Sequence, residues 1–144
     1  MFKLNSQLEK DTISIGEFPL SNVLLMNDVR YPWIILVPRV ENITEIFELT
    51  DKQQQQLMYE SNLVAKRLKA MVQADKMNVA ALGNVVSQLH IHHVARFRAD
   101  EAWPAPVWGK GHAIHYSQTE QHAVIKQITT LFSDELNSGD KIIL

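Results

Sequence analysis

Gln88, His90 and His92 alternate with apolar residues in the second half of the chain. Successive side chains of a β-strand point to opposite faces, so an extended backbone here places the three polar groups on one face, ~6.6 Å apart. The row is then about 13 Å long, which is the reach of two or three linked phosphates. Because the ordinary pKa of histidine is ~6.5, one imidazole can be a neutral nucleophile while its neighbour is a protonated donor. The spacing predicts a site for nucleophilic attack on a phosphate.

The composition limits what such a site can act on. The chain has 14 basic and 16 acidic residues, a formal net charge of −2 and no cysteine. The small negative charge gives no attraction to a nucleic-acid polymer or an anionic membrane, and the lack of cysteine excludes thiolate nucleophiles and disulfides. Histidines, amides and backbone N–H groups can still bind a small anion.

The length of 144 residues is typical of one domain, and the sequence has no repeat or linker, so we expect a single domain over residues 1–144. The longest apolar run, Trp33 to Val37, is too short to cross a bilayer, and the first residues lack the layout of a signal peptide. These features predict a cytoplasmic protein.

Strands are predicted where short apolar or alternating runs are bounded by turn residues. The runs are Ile13 to Ile15, Val23 to Met26, Trp33 to Val37 and the stretch from Asn78 to Val94. Gly83 divides the last stretch into two strands joined by a tight turn, and the second of these strands carries the histidines.

Two helices are predicted from capping boxes. Thr50 with Gln53 begins one that runs to about Gln73, and Ser117 with Glu120 begins the other. Between the histidines and the second helix, Arg98 to Gly111 form a long irregular segment that could cover a site. The fold class predicted is α+β, with an antiparallel sheet of about five strands and two main helices packed on it.

The stretch from Gly83 to Val94 resembles the signature of the histidine triad (HIT) family of nucleotidyl hydrolases and transferases, in which three histidines alternate with apolar residues. Gly83-Asn84 is similar to a glycine-glutamine pair that stands just before the family's histidines. The segment Pro32 to Arg39, and then Phe47 to Thr50, are also similar to family segments, so the resemblance covers about residues 20–100. It implies a HIT-like fold.

Two residues depart from the signature. Gln88 stands where the family has its first histidine, and an amide cannot be protonated at neutral pH. His93 stands where the family has an apolar residue; strand alternation points it away from the phosphate row, so we expect a structural role.

The resemblance implies that His90 attacks the α-phosphorus of a nucleotide to give a nucleotidyl-histidine, from which water releases a nucleoside monophosphate. Asn84, Gln88 and His92 are the candidate phosphate donors, and His92, as an imidazolium, is also the candidate acid for the leaving group. The counterpart of the family's ribose-binding residue is Asn27 or Asp28, between which the sequence does not choose.

The resemblance also implies a small nucleotide substrate, a homodimer, and no cofactor. Dinucleoside polyphosphates, nucleoside phosphoramidates and nucleotide sugars all fit, and the sequence does not distinguish hydrolysis from transfer. Two alternatives are open. One is a nucleotide-binding module that has lost catalysis through Gln88; the other is a metal site in which His112 or His115 joins His90 and His92.

Overall fold

The computed structural model describes residues 1–136. Its centre is a five-stranded sheet in the order β1-β2-β3-β5-β4, and every neighbouring pair is antiparallel. The strands are β1 (Thr12–Glu17), β2 (Ser21–Met26), β3 (Trp33–Pro38), β4 (Lys76–Ala80) and β5 (Ile91–Arg96). The predicted α+β fold with a five-stranded antiparallel sheet is confirmed.

The helices are α1 (Ser6–Asp11), α2 (Asp51–Val72) and α3 (Gln118–Leu131), with one turn of 3₁₀ helix at Ile46–Glu48. Both predicted capping boxes are present, because the hydroxyls of Thr50 and Ser117 accept backbone N–H groups at the starts of α2 and α3. Helix α2 is followed by the C-cap residue Gln73, whose φ of 54° is in the left-handed region. Helix α1 was not predicted.

Both faces of the sheet are covered, so its central strands are buried on each side. Helices α2 and α3 pack on one face, where Leu36, Val64 and Ile128 belong to one apolar cluster. On the other face, Leu8 of α1 and Val107 of the segment after β5 pack with Ile35 and Val94. Strand β5 lies inside the sheet, between β3 and β4. Its side chains alternate between the face covered by α2 and α3 and the face covered by α1.

The connection from β4 to β5 differs from the predicted tight turn. Residues 81–90 form an irregular loop, and β5 begins at Ile91, so His90 lies immediately before the strand and not on it. Within this loop the N–H of Leu89 donates to the carbonyl of Ile43, a residue outside the sheet. The prediction that His90 lies on a strand is therefore wrong by one residue.

The segment after β5 is irregular, as predicted, and a buried ion pair anchors it. Arg96 donates to both carboxylate oxygens of Asp100, at 2.8 and 3.0 Å, and to the carbonyl of Ala105 at 2.8 Å. The side chains of Arg96 and Asp100 are only 2% and 4% exposed. This anchor fixes the path of the chain toward Trp108, on the face opposite α2 and α3.

None of the helices found within residues 1–136 combines the length and the apolar character that crossing a membrane requires.

Candidate active site

A cavity of about 260 Å³ opens on the sheet face opposite α2 and α3. Met26 and Ile35 form its floor from the sheet, and residues 82–86 of the loop before β5 form one side. Trp108, Thr12 of β1 and three residues of α1 complete the described lining together with His90 and His92. The structure thus brings the two predicted catalytic histidines together at one cavity.

A backbone hydrogen bond fixes the tautomer of His90. Its Nδ1 lies 2.7 Å from the carbonyl oxygen of Gln88, and a carbonyl can only accept, so Nδ1 carries the proton. In the neutral ring the lone pair is then on Nε2. The ring lies just before β5, lines the cavity and is 7% exposed. The lone pair on Nε2 is what a nucleophile needs.

His92 has the opposite tautomer. The indole N–H of Trp33 donates to Nδ1 of His92 over 3.0 Å, and an indole can only donate, so a neutral His92 carries its proton on Nε2. Burial, and then repulsion from His90 and His93, lower the pKa of His92 to about 3. The structure therefore favours a neutral N–H donor at this position over the predicted imidazolium.

Aromatic packing holds both rings in place. The centroids of His90 and His92 are 4.8 Å apart and their planes are inclined by 70°. Trp108 packs edge-on against His92 at 5.1 Å and against Trp33 at 5.8 Å. Such tilted contacts are the favourable geometry for aromatic rings, and they leave His92 little rotational freedom.

His93 points to the opposite face, as strand alternation predicts. Its Nδ1 donates to the carbonyl of Ile34 over 3.2 Å, and its Nε2 lies 2.7 Å from the hydroxyl of Ser61 on α2. The ring is fully buried, and burial lowers its pKa to about 4. Both ring nitrogens are satisfied within the core, away from the cavity.

The two depressed histidine pKa values predict that the free energy of unfolding decreases as the pH falls from about 6.5 toward 4. Below pH 6.5 the unfolded chain binds protons at His92 and His93, whereas the folded rings, with pKa values of about 3 and 4, stay neutral. Each histidine should contribute a slope of about 1.4 kcal/mol per pH unit. Urea unfolding between pH 7 and 4.5 measures this slope.

The matched control for this slope replaces a side chain that does not titrate. His93→Asn should reduce the slope by about 1.4 kcal/mol per pH unit, the contribution of one histidine. Gln127→Asn, at an exposed position of α3, should leave the slope unchanged. An unaltered slope in His93→Asn would contradict the burial argument.

Of the predicted phosphate donors besides His92, Asn84 lies at the cavity and Gln88 is turned away from it. Gly83 has a φ of 78°, which glycine adopts without strain, and the turn there leaves Asn84 exposed on the cavity side. The side-chain amide of Gln88 instead makes two hydrogen bonds to the N-terminal segment, with Lys3 and Asn5. Gln88 is not part of the described lining of this cavity.

The predicted nucleoside ligands Asn27 and Asp28 do not reach the cavity lining either. The amide oxygen of Asn27 accepts the N–H of Tyr116 over 2.9 Å. Asp28 is 1% exposed and pairs with Arg30 at 2.9 Å. Burial raises the pKa of Asp28, but hydrogen bonds from the side chain and backbone of Arg30 outweigh it and the net shift is downward. Both side chains hold the β2–β3 turn against the segment that precedes α3.

Sequence reasoning missed the wall that α1 contributes. Gln7, Leu8 and Asp11 line the cavity, and Gln7 donates to the carboxylate of Asp11 over 2.9 Å. The local signal was Asn5, a favourable N-cap residue whose side chain accepts the N–H of Gln7. No local pattern in the sequence indicates that α1 packs beside the histidines at the cavity.

The three-histidine metal arrangement is not assembled in the described part of the chain. No group of three or more His, Asp or Glu side chains there is close enough to hold an ion. His112 and His115 are exposed in the segment before α3 and are not among the described lining residues.

Comparisons with known proteins place the chain among proteins with a HIT domain. A family model for the HIT domain matches residues 7–99. The solved structure of a histidine triad protein from Marinobacter aquaeolei VT8 is 47% identical, with a TM-score of 0.92 over 94% of this chain and 98% of that chain. A histidine triad (HIT) protein from Sinorhizobium meliloti 1021 is 46% identical, with a TM-score of 0.88 over 90% of this chain and 96% of that chain.

A third solved structure, a histidine triad protein from Bradyrhizobium japonicum, is 44% identical, with a TM-score of 0.86 over 94% of this chain and 98% of that chain. The sequence matches none of the curated proteins with which it was compared.

Proposed function

The chain belongs to the HIT domain family, and from that premise we propose that it is a nucleotide hydrolase or nucleotidyl transferase in which His90 attacks the α-phosphorus of a nucleotide conjugate. The observation that carries this proposal is the tautomer of His90. The hydrogen bond from Nδ1 to the carbonyl of Gln88 leaves the Nε2 lone pair free at the cavity.

In the first step, Nε2 of His90 forms a bond to the α-phosphorus while the bond from phosphorus to the leaving group breaks. The leaving group takes its proton from solvent, and the ring becomes positively charged. The carbonyl of Gln88, 2.7 Å from Nδ1, stabilises that charge by accepting the Nδ1 proton in a charge-assisted hydrogen bond.

In the second step, water attacks the phosphorus, the N–P bond breaks, and its electron pair returns to Nε2. The water proton goes to solvent and a nucleoside monophosphate leaves; an acceptor other than water would make the reaction a transfer. In both steps the Nε2–H of His92 and the amide of Asn84 are the proposed donors to the phosphoryl oxygens. A neutral His92 suits this task because it donates without a change of protonation state.

The remainder of the cavity fits a nucleoside better than a chain of phosphates. Leu8, Met26 and Ile35 offer apolar contacts to a base. We do not assign the sugar to Asn27 or Asp28, because both side chains make other contacts in the fold.

Charge indicates which leaving group the site favours. Asp11 carries a formal charge, and the described lining residues include no lysine or arginine. With His92 neutral, phosphates beyond the α-phosphate would meet no cation. We therefore expect a nucleoside phosphoramidate, with its amine leaving group, to react faster than a dinucleoside polyphosphate.

The test incubates the protein with adenosine phosphoramidate and, separately, with diadenosine polyphosphates, each with a chelator, and follows adenosine monophosphate by chromatography. Product from both is expected, with a kcat/KM at least about tenfold higher for the phosphoramidate, since it lacks the unpaired charges of the further phosphates. Binding of adenosine monophosphate without product from either compound would contradict catalysis and indicate a nucleotide-binding module.

We also propose a homodimer, formed through the edge of the sheet at β4. A second cavity of about 230 Å³ lies between β4 and α2, lined in part by Ile46, Met58 and Val79. These three side chains are 42%, 62% and 50% exposed, and β4 is an edge strand of the sheet. An apolar patch beside an open strand edge is typical of a protein interface.

Val79→Lys should convert the dimer to a monomer, because a second copy would have to bury the added ammonium group in an apolar contact. Light scattering on a sizing column measures the mass of both proteins at equal concentration. Ile114→Lys, at a 56% exposed position away from β4, is the control and should remain dimeric. Equal masses for wild type and Val79→Lys would contradict the proposed interface.

A further inference from the structure

The side-chain amide of Gln88 joins the loop before β5 to the N-terminal segment. Its oxygen accepts the N–H of Asn5 over 2.8 Å, and its nitrogen donates to the carbonyl of Lys3 over 2.8 Å. The two backbone groups flank Leu4 and point the same way, so the amide pairs with them as a neighbouring strand would. This is a reciprocal contact between positions more than 80 residues apart in the chain.

A primary amide is chemically suited to this contact. It presents a donor and an acceptor side by side on one end, which matches an N–H and a carbonyl on the same edge of an extended backbone. A neutral imidazole carries its donor and acceptor at different corners of a ring, and so it cannot serve both groups at that spacing. A carboxylate accepts from Asn5 but would face the carbonyl of Lys3 with no proton to donate.

The contact bears on the cavity through α1. The backbone N–H of Asn5 donates to Gln88, and Asn5 is the N-cap residue of α1. Helix α1 in turn contributes Gln7, Leu8 and Asp11 to the cavity wall. Leu8 is 5% exposed and packs against the sheet. The wall is therefore held by the contact of Leu8 with the sheet and by the hydrogen bonds of Gln88 to the segment before α1. The backbone carbonyl of Gln88 is also the group that fixes the tautomer of His90.

We propose that Gln88 is a positioning residue that fastens residues 3–11 as one wall of the nucleotide pocket. This inference rests on the proposed function of the cavity. A wall contacts substrate and transition state alike, so loosening it raises KM and leaves kcat nearly unchanged. A Gln88 that instead bound the reacting phosphate would, when replaced, lower kcat.

The test compares Gln88→Leu, Gln88→Glu and Gln88→His with wild type. Gln127→Leu, at an exposed position of α3, is the matched control. Hydrogen exchange of the backbone amides in residues 3–11 is measured first, without any substrate. We expect exchange at Asn5 and in α1 to become about tenfold faster in Gln88→Leu, which loses both hydrogen bonds. In Gln88→Glu and Gln88→His, which lose at least one of the two, exchange in α1 should also become faster, and in the control it should stay unchanged.

The second measurement is kinetic, with the substrate on which wild type is active. KM should rise about tenfold in the three variants and kcat should change by less than about threefold. Wild-type exchange rates in Gln88→Leu or in Gln88→His would overturn the proposal, and so would a lowered kcat at unchanged KM.

The two failures can be told apart. If wild type turns over neither nucleotide compound, the proposed function fails, and the exchange rates still decide whether Gln88 fastens the segment. In that case the affinity for adenosine monophosphate replaces KM, and it is measured by the change in tryptophan fluorescence, to which Trp108 in the cavity contributes. Equal affinities of wild type and Gln88→Leu would overturn the role of the segment as a wall.

Discussion

Replacing His90 with alanine should lower kcat for a nucleotide conjugate by at least about three orders of magnitude, because it removes the atom that forms the bond to phosphorus. The remaining donors can orient the phosphate but cannot form a covalent intermediate. Steady-state assays with adenosine phosphoramidate measure this loss. Substrate should still bind, since the apolar contacts of Leu8, Met26 and Ile35 are unchanged in the variant.

The matched control is His122→Ala. His122 lies on α3, is exposed and lies outside the described cavity lining, so its removal should leave kcat within about twofold of wild type. If His90→Ala kept more than a tenth of the wild-type kcat, a different residue or water would have to be the nucleophile.

Asp100→Asn should lower the free energy of unfolding by about 3–5 kcal/mol, because it leaves the guanidinium of Arg96 buried without its countercharge. Both side chains are almost fully buried, so solvent cannot replace the lost carboxylate. The carboxylate also accepts the N–H groups of Phe97 and Trp103 at 3.0 and 2.8 Å, and these bonds shape the start of the segment that carries Trp108. Urea unfolding at neutral pH measures the loss.

Asp134→Asn, an exposed aspartate near the end of the described chain, is the control for this change and should cost less than about 0.5 kcal/mol. The pH response provides a second check. Burial raises the pKa of Asp100, but hydrogen bonds led by Arg96 outweigh it and lower that pKa to about 2. Its stabilising contribution is therefore complete above the ordinary value of 3.8 and is lost as the pH falls toward 2. A wild-type stability for Asp100→Asn would contradict the anchoring role of this pair.

The elements that sequence reasoning predicted correctly are those whose signals are local. The capping boxes at Thr50 and Ser117 lie within one turn of the helices they begin, and β2 and β3 each contain a continuous apolar run. Such patterns fix an element without reference to the remainder of the chain.

The parts that sequence reasoning missed depend on contacts between distant residues. In the loop before β5, the N–H of Leu89 bonds to the carbonyl of Ile43, a contact that the pattern of alternation cannot reveal. The tautomer of His92 follows from Trp33, 59 positions earlier in the chain. Helix α1 becomes a cavity wall only through its contacts with the sheet and with Gln88.

The central claim is that Nε2 of His90 becomes bonded to the α-phosphorus during turnover. The most direct test is to mix the protein with adenosine phosphoramidate, quench within the first turnovers at alkaline pH, where an N–P bond survives, and map the added mass by peptide sequencing in a mass spectrometer. We predict one adenylyl group on the peptide that contains His90, located at that residue and missing from His90→Ala. Adenosine monophosphate formed by wild type with no adduct at any time, or with the adduct on another residue, would contradict the account.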